Sequence, residues 1–404
     1  MAHIPPYPLY NRTYNLYRLS PLHCHDTPLL LEASLRTHAK RLKEQLKGDN
    51  VRGVQVDFAG AEDTAKLGPL DECSWEMIGD EDAWIDRHRQ SIDVDASHLS
   101  SLSQLSPDRA RGLQVSLEYE KQTYNALLLR DPGVTSSPKG FTSLPLLLVK
   151  MPGPIRDIFL NYLRTTFDAY VAPLKLPSPI ITSSLETYLK HLSARYSTQS
   201  IQDIIRQLHV QLAFPNSTTI LKHVEITIAG ADISGFVDRG RLLKDTRNKP
   251  FTAALSAYLK QHLALDISHP KVQISRIACN SFHLGTERLK LVAPDPLADT
   301  SFSDEGGMSQ DASASELAVQ ELYTSLVREA AGSGKFLPED MSKASKKETL
   351  SPTASAQAGR RKRAVSTAAV DSNNKKTKAR AKESERKVNG NDDMIGVSSH
   401  LMPG

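Results

Sequence analysis

Three strand-length apolar runs follow one another between Gly112 and Lys150 with short polar breaks, and no other stretch limits the fold as tightly. Gly112 to Glu120 puts Val115, Leu117 and Tyr119 on one face. Thr123 to Arg130 follows after two residues, and Ser143 to Lys150 completes the set. A parallel pair needs a crossover of about a dozen residues, so neighbours as close as the first two must run antiparallel. The last run is nearly all apolar, which places it centrally in a sheet with both faces buried. The insert from Asp131 to Gly140 carries the Gly, Pro and Ser of a hairpin loop.

The same periodicities extend on both sides. Tyr14 to Leu19 alternates as a strand that Pro21 ends. Thr27 to Leu46 reads as a helix: Leu31, Leu35, Ala39, Leu42 and Leu46 share a face, Arg36, Lys40, Lys43 and Lys47 face outward, and Gly48 supplies the stop. Val54, Val56 and Phe58 alternate as a strand, and Cys73 to Ile78 forms another. Asp80, Glu81 and Asp82 read as a solvated helix start, and Ser91 to Pro107 as a surface loop. Pro154 to Tyr170 carries a wide apolar stripe of Ile155, Ile158, Phe159, Tyr162, Leu163, Phe167 and Tyr170, with its proline in the first turn. Ser183 to Ala194 and Ser200 to Gln207 are shorter helices. Strands return at His209 to Phe214 and Thr219 to Ala229. Gly230, Gly235 and Gly240 lack the spacing of a dinucleotide fingerprint and surround a hairpin and loop. Pro250 to Leu263 is helical, and Val272 to Ala278 and Glu287 to Val292 are closing strands joined around Asn280 to Gly285. The order gives an α+β class: a largely antiparallel sheet with helices packed on one side, one domain over residues 1–293.

Composition changes after that point. Residues 294–314 are acidic, Ser-rich and poor in apolar side chains, as a linker is. Residues 315–331 read as an isolated amphipathic helix, with Leu317, Leu322, Leu326 and Val327 on its stripe. Residues 332–404 read as a disordered basic tail. Between Ser351 and Gly390 stand 11 Lys and Arg against 3 Asp and Glu, while residues 1–350 hold 39 against 41. The formal charge of +4 therefore belongs to the tail, and the body offers phosphate no strong general attraction. Arg360, Arg361, Lys362 and Arg363, then Lys375, Lys376, Lys378 and Arg380 after a spacer of 11 residues, form a bipartite nuclear-import pattern. The same clusters suit weak, salt-sensitive DNA contact.

Other function classes find little support. No apolar run approaches the roughly 20 residues of a membrane span. The first ten residues lack a secretory pattern, so an intracellular chain is expected. Three cysteines, far apart, make no disulfide framework. Adjacent residues in His23-Cys24-His25-Asp26 point to opposite faces, so a polar turn is favoured over a metal site. Phosphate-loop, nucleophile-elbow and zinc-protease motifs are absent, so neither an enzyme nor a cofactor is expected. Ile274, Ile277, Phe282, Leu284, Leu289 and Leu291 lie in the closing strands. A terminal hairpin at a sheet edge would offer them, and its open backbone, to a partner.

Tyr14-Asn-Leu-Tyr-Arg-Leu-Ser-Pro-Leu, the helix ending Arg41-Leu-Lys-Glu-Gln-Leu, and Arg52-Gly-Val-Gln-Val resemble the N-terminus of fungal kinetochore proteins of the CENP-L family. The stretch from Ile274 to Val292 resembles that family's closing strands, so the likeness covers about residues 10–292. It implies a non-catalytic subunit of the inner kinetochore, in the nucleus at centromeres. It also implies association through C-terminal strands with a CENP-N-like partner, other inner-kinetochore proteins and, indirectly, centromeric chromatin. The alternative is a chromatin- or DNA-binding nuclear protein acting through its basic tail.

Overall fold

The computed structural model describes residues 5–47, 68–93, 105–131, 137, 139–193, 201, 205–215, 221–243, 249–293 and 314–332. The chain opens with strands β1 (Thr13–Leu19) and β2 (Leu22–His23), helix α1 (Glu32–Lys47), strand β3 (Leu70–Ile78) and helix α2 (Glu81–Asp93). Strands β4 (Gly112–Tyr119), β5 (Thr123–Leu129), β6 (Phe141–Thr142) and β7 (Leu146–Lys150) lead into helix α3 (Gly153–Phe167). Strand β8 (Val171–Pro173), helix α4 (Ser178–Leu192), strands β9 (Gln207–Ala213) and β10 (His223–Ala229), and helices α5 (Gly230–Leu242) and α6 (Pro250–Leu263) follow. Strands β11 (Gln273–Ala278), β12 (Phe282–Gly285) and β13 (Arg288–Leu291) and helix α7 (Ala314–Ala331) complete the described elements.

One sheet holds eleven of these strands in the order β10-β9-β11-β12-β13-β1-β7-β5-β4-β3, with β8 paired to β1. Every pairing is antiparallel; Leu113 faces Leu128, Leu127 faces Leu148, and Leu148 faces Leu16. The α+β class and the meander from Gly112 to Lys150 stand as the sequence implies. β7 is central, and its alternate residues explain its all-apolar sequence. Leu146 and Leu148 enter one core, while Leu147 and Val149 enter another on the opposite face.

Two cores mean two helical layers, not the single layer expected. Buried residues of α1 and α3, among them Leu35, Leu42, Phe159 and Phe167, pack with Val115, Leu128 and Leu147 on one face. Residues of α4, α5, α6 and α7 pack with Leu127, Leu148, Val210 and Ile277 on the other. Strands β1, β5 and β7 are thus covered on both sides.

Other differences have local causes. The segment from Gly230 is helix α5, not a hairpin, because two of its glycines serve close packing. A Cβ on Gly230 would lie 1.9 Å from the Ile205 carbonyl oxygen, and one on Gly240 would lie 1.8 Å from that of Pro250. The joint between the closing strands is itself a strand, β12, so the three form a meander within the sheet. Helix α3 stops at Asp168, whose φ of 48° turns the chain, and Tyr170 emerges 73% exposed. Helix α7 is not isolated: Ala318, Leu322, Leu326, Val327 and Ala330 are buried in the core. Arg18 Nη2 donates to the Glu329 carbonyl at 2.9 Å, and Tyr323 Oη to that of Arg130 at 2.6 Å. The strand expected at Val54 to Phe58 lies outside the described residues, as do most of the Ser91 to Pro107 loop and the 294–313 linker.

Candidate partner-docking site

The closing strands do not offer a docking edge. β11, β12 and β13 lie inside the sheet, between β9 and β1. Ile274, Ile277, Phe282, Leu284, Leu289 and Leu291 are each 2% exposed or less and belong to the chain's own core. Phe282 meets Tyr188 edge-on at 4.9 Å. The expectation failed because sequence order was taken for sheet order: β1 pairs with β13 from its far side, with Tyr14 opposite Leu289, and closes the edge.

The two ends of the described strand order are β3 and β10. β3 resists extension, since its exposed residues include Asp71, Glu72 and Glu76 and its register slips between Leu70 and Glu72. Lys43 Nζ from α1 also donates to the Asp71 carbonyl at 2.5 Å. β10 pairs with β9 over all seven residues, from His223 opposite Ala213 to Ala229 opposite Gln207. Among the described residues no strand pairs with its other side. Val224 and Ile226 are half-buried, and His223, Glu225 and Thr227 are exposed. Leu221, just before the strand, is exposed, as are Leu242 (85%) and Leu243 at the end of the helix that follows. A regular edge with half-buried apolar residues such as Val224 and Ile226 is what a partner's strand needs for backbone pairing and side-chain contact.

The polar face next to this edge carries a registered row. Thr227 faces His209, His209 faces Ala278, Ala278 faces His283, and His283 faces Lys290. Glu225 pairs with Arg276 at 3.1 Å and with His209 at 3.5 Å. Burial, followed by the charges of Lys290, Arg276 and His209, holds the His283 pKa below its usual value. Its imidazole therefore resists adding to this positive surface.

The remaining candidates are placed as follows. His23 and His25 meet at a tilt with ring centroids 4.3 Å apart, and His23 also meets Phe141 at 5.0 Å. Cys24 points the other way, is buried, and donates to the Leu22 carbonyl and Thr142 Oγ1. Among the described residues no group of three or more potential ligands converges as a metal site would require. The import-pattern residues, Arg360 to Arg363 and Lys375 to Arg380, lie outside the described residues. Asp80, Glu81 and Asp82 do start a helix, but Glu81 is not simply solvated: it accepts from Tyr10 Oη at 2.8 Å. Nothing in the sequence pairs residue 10 with residue 81; that contact arises from the fold.

The family model of centromere protein L (CENP-L) matches residues 8–331, from before β1 to the end of α7. No curated relative matches the chain. The match covers both cores and includes the helix that the sequence had set apart. The chain belongs to the CENP-L family, whose members are structural subunits of the inner kinetochore at the centromere.

Proposed function

We propose that this chain is a non-catalytic adaptor of the inner kinetochore that binds a CENP-N-like partner by strand addition at β10 and so supports chromosome segregation. The observation that carries the reading is a seven-residue edge strand, unpaired on one side among the described residues, in a CENP-L family chain. Likeness to the fungal members in the opening and closing segments agrees with it. Edge pairing supplies affinity through backbone hydrogen bonds and specificity through alternate side chains. Leu221, exposed just before β10, and Leu242, exposed at the end of α5, supply apolar area, and interface cores are where such residues matter most.

The test is co-purification with a CENP-N-like subunit. Val224→Lys together with Leu242→Asp alters only exposed or half-buried positions. Loss of the partner with an unchanged melting temperature is expected, and full retention would sink the β10 assignment. The basic tail gives the second reading its support, with a net charge of about +8 between Ser351 and Gly390. Deleting residues 351–390 is expected to abolish nuclear accumulation and any DNA binding by the full chain. DNA binding that survived the deletion with the same salt slope would assign it to the body instead.

A further inference from the structure

Toward the end of the sheet opposite β10 lies a cavity of about 360 Å³. Three distant stretches wall it: Tyr7 and Tyr10, the corner between β3 and α2, and the first turns of α7. Ile78, Leu127 and Leu129 make an apolar base, and Leu317 in the wall is 48% exposed. The corner contributes three carboxylates, Asp80, Glu81 and Asp82, against one cation, Arg111.

Most of these polar groups are already engaged. Tyr7 Oη donates to the Gly79 carbonyl at 2.8 Å and Tyr10 Oη to Glu81 Oε2 at 2.8 Å. Asp80 Oδ1 accepts from the Ala83 amide at 2.9 Å, which caps α2. Arg111 Nη1 donates to Gln320 Oε1 at 2.8 Å, and its guanidinium lies 5.7 Å over the Tyr323 ring. Asp82 is exposed and has neither an ion pair nor a hydrogen bond among the described residues. Among the described residues no histidine, cysteine or serine lines the cavity.

At 360 Å³ the volume is near the low end of the about 300–1,000 Å³ typical of small-molecule sites. It suits a side chain better than a dinucleotide. An apolar base beneath a carboxylate rim matches a side chain that is aliphatic along its stem and cationic at its tip. Tyrosine walls favour a planar cation further. The excess of carboxylates disfavours phosphate, and so a nucleic acid. We propose that this cavity receives an arginine side chain from a basic segment of a partner protein. The inference does not depend on the β10 reading, because the cavity and that edge occupy different ends of the sheet.

The experiment uses the full chain and a fluorescein-labelled peptide, Leu-Ala-Arg-Ala-Leu, read by anisotropy. The peptide is expected to bind, and its citrulline counterpart, which keeps the shape and loses the charge, to bind about tenfold more weakly. Asp82→Lys reverses the rim charge without touching the α2 cap or the Tyr10 bond, and should weaken binding by about the same factor. Leu317→Trp fills the space from the exposed wall and should block the peptide with an unchanged melting temperature. If Asp82→Lys lowers the melting temperature, Leu317→Trp decides the matter. Equal binding of the arginine and citrulline peptides, undiminished binding by Leu317→Trp, or no binding by the unmodified chain would each overturn the proposal.

Discussion

His38 sits on α1 against α3 and β3, with Phe167 at 4.7 Å, Trp75 at 5.8 Å and Tyr162 Oη 2.8 Å from its Nδ1. Burial, aided by the nearby Arg41 charge, pushes its pKa down to about 4. The titratable groups facing it from the neighbouring elements stay neutral at pH 7. Burial raises Tyr162 on α3 to about 12 and Cys73 on β3 to about 12. An unfolded chain protonates this histidine below about pH 6.5, whereas the folded chain does so only near 4. Acidification across that window therefore favours the unfolded state, and stability rises with pH through it. Replacing His38 with Gln should remove on the order of 1 kcal/mol of the stability difference between pH 7 and pH 5, allowing for the partly solvated ring. Urea melts of both proteins at the two pH values measure it, and an unchanged pH dependence in the variant would contradict this account.

Helix α5 turns its glycines into a paired prediction. A Cβ on Gly235 meets nothing within 4 Å, so Gly235→Ala should stabilise the chain by up to about 1 kcal/mol through helix propensity. Gly240→Ala drives a methyl into the Pro250 carbonyl and should cost about 2 kcal/mol or more as α5 and α6 separate. Thermal melts of the two variants should move in opposite directions. The same helix marks the boundary of what sequence reasoning can reach. Periodicity finds β4, β5, β7, α1 and α3 because packing faces leave an alternation or a stripe. It misses α5 because glycines at five-residue spacing look like turns until the close approach at Ile205 and Pro250 is known. The stripe on α7 was legible in Leu322, Leu326 and Val327, but the sheet surface that receives it was not. The six apolar residues of the closing strands were legible as apolar; their role as core depended on β1 returning beside β13. Leu289→Asp therefore tests the element directly. With 2% exposure it should destabilise the fold by about 4 kcal/mol or more and lose every partner together, not one selectively. A folded Leu289→Asp protein lacking only its CENP-N-like partner would restore the edge role to β13.

Across the whole molecule, the β10 edge and the acid-rimmed cavity are separated by most of the sheet. Nine inter-strand steps run from β10 to β3, roughly 40 Å at ordinary strand spacing. That exceeds the Debye length of about 8 Å at physiological salt several times over, so charge at one end is screened from the other. Packing does connect them, through the one core that reaches from Ile228 on β10 to Leu129 on β5, but β1, β7 and β5 are also held from their other face by the second core. Coupling between distant sites requires an element with two arrangements that both ligands bias, and a sheet buried on both sides through β1, β7 and β5 is a poor candidate. An adaptor built this way should hold two partners without either altering the other's affinity. With the CENP-N-like subunit already bound, the arginine peptide should bind the full chain within about twofold of its affinity for the free chain. Val224→Lys with Leu242→Asp should remove the first interaction and spare the second, and Asp82→Lys should do the reverse. Anisotropy titrations with and without saturating partner measure the coupling. A tenfold shift would mean that the sheet transmits strain between its ends, and that the chain acts as a switch instead of a passive bridge.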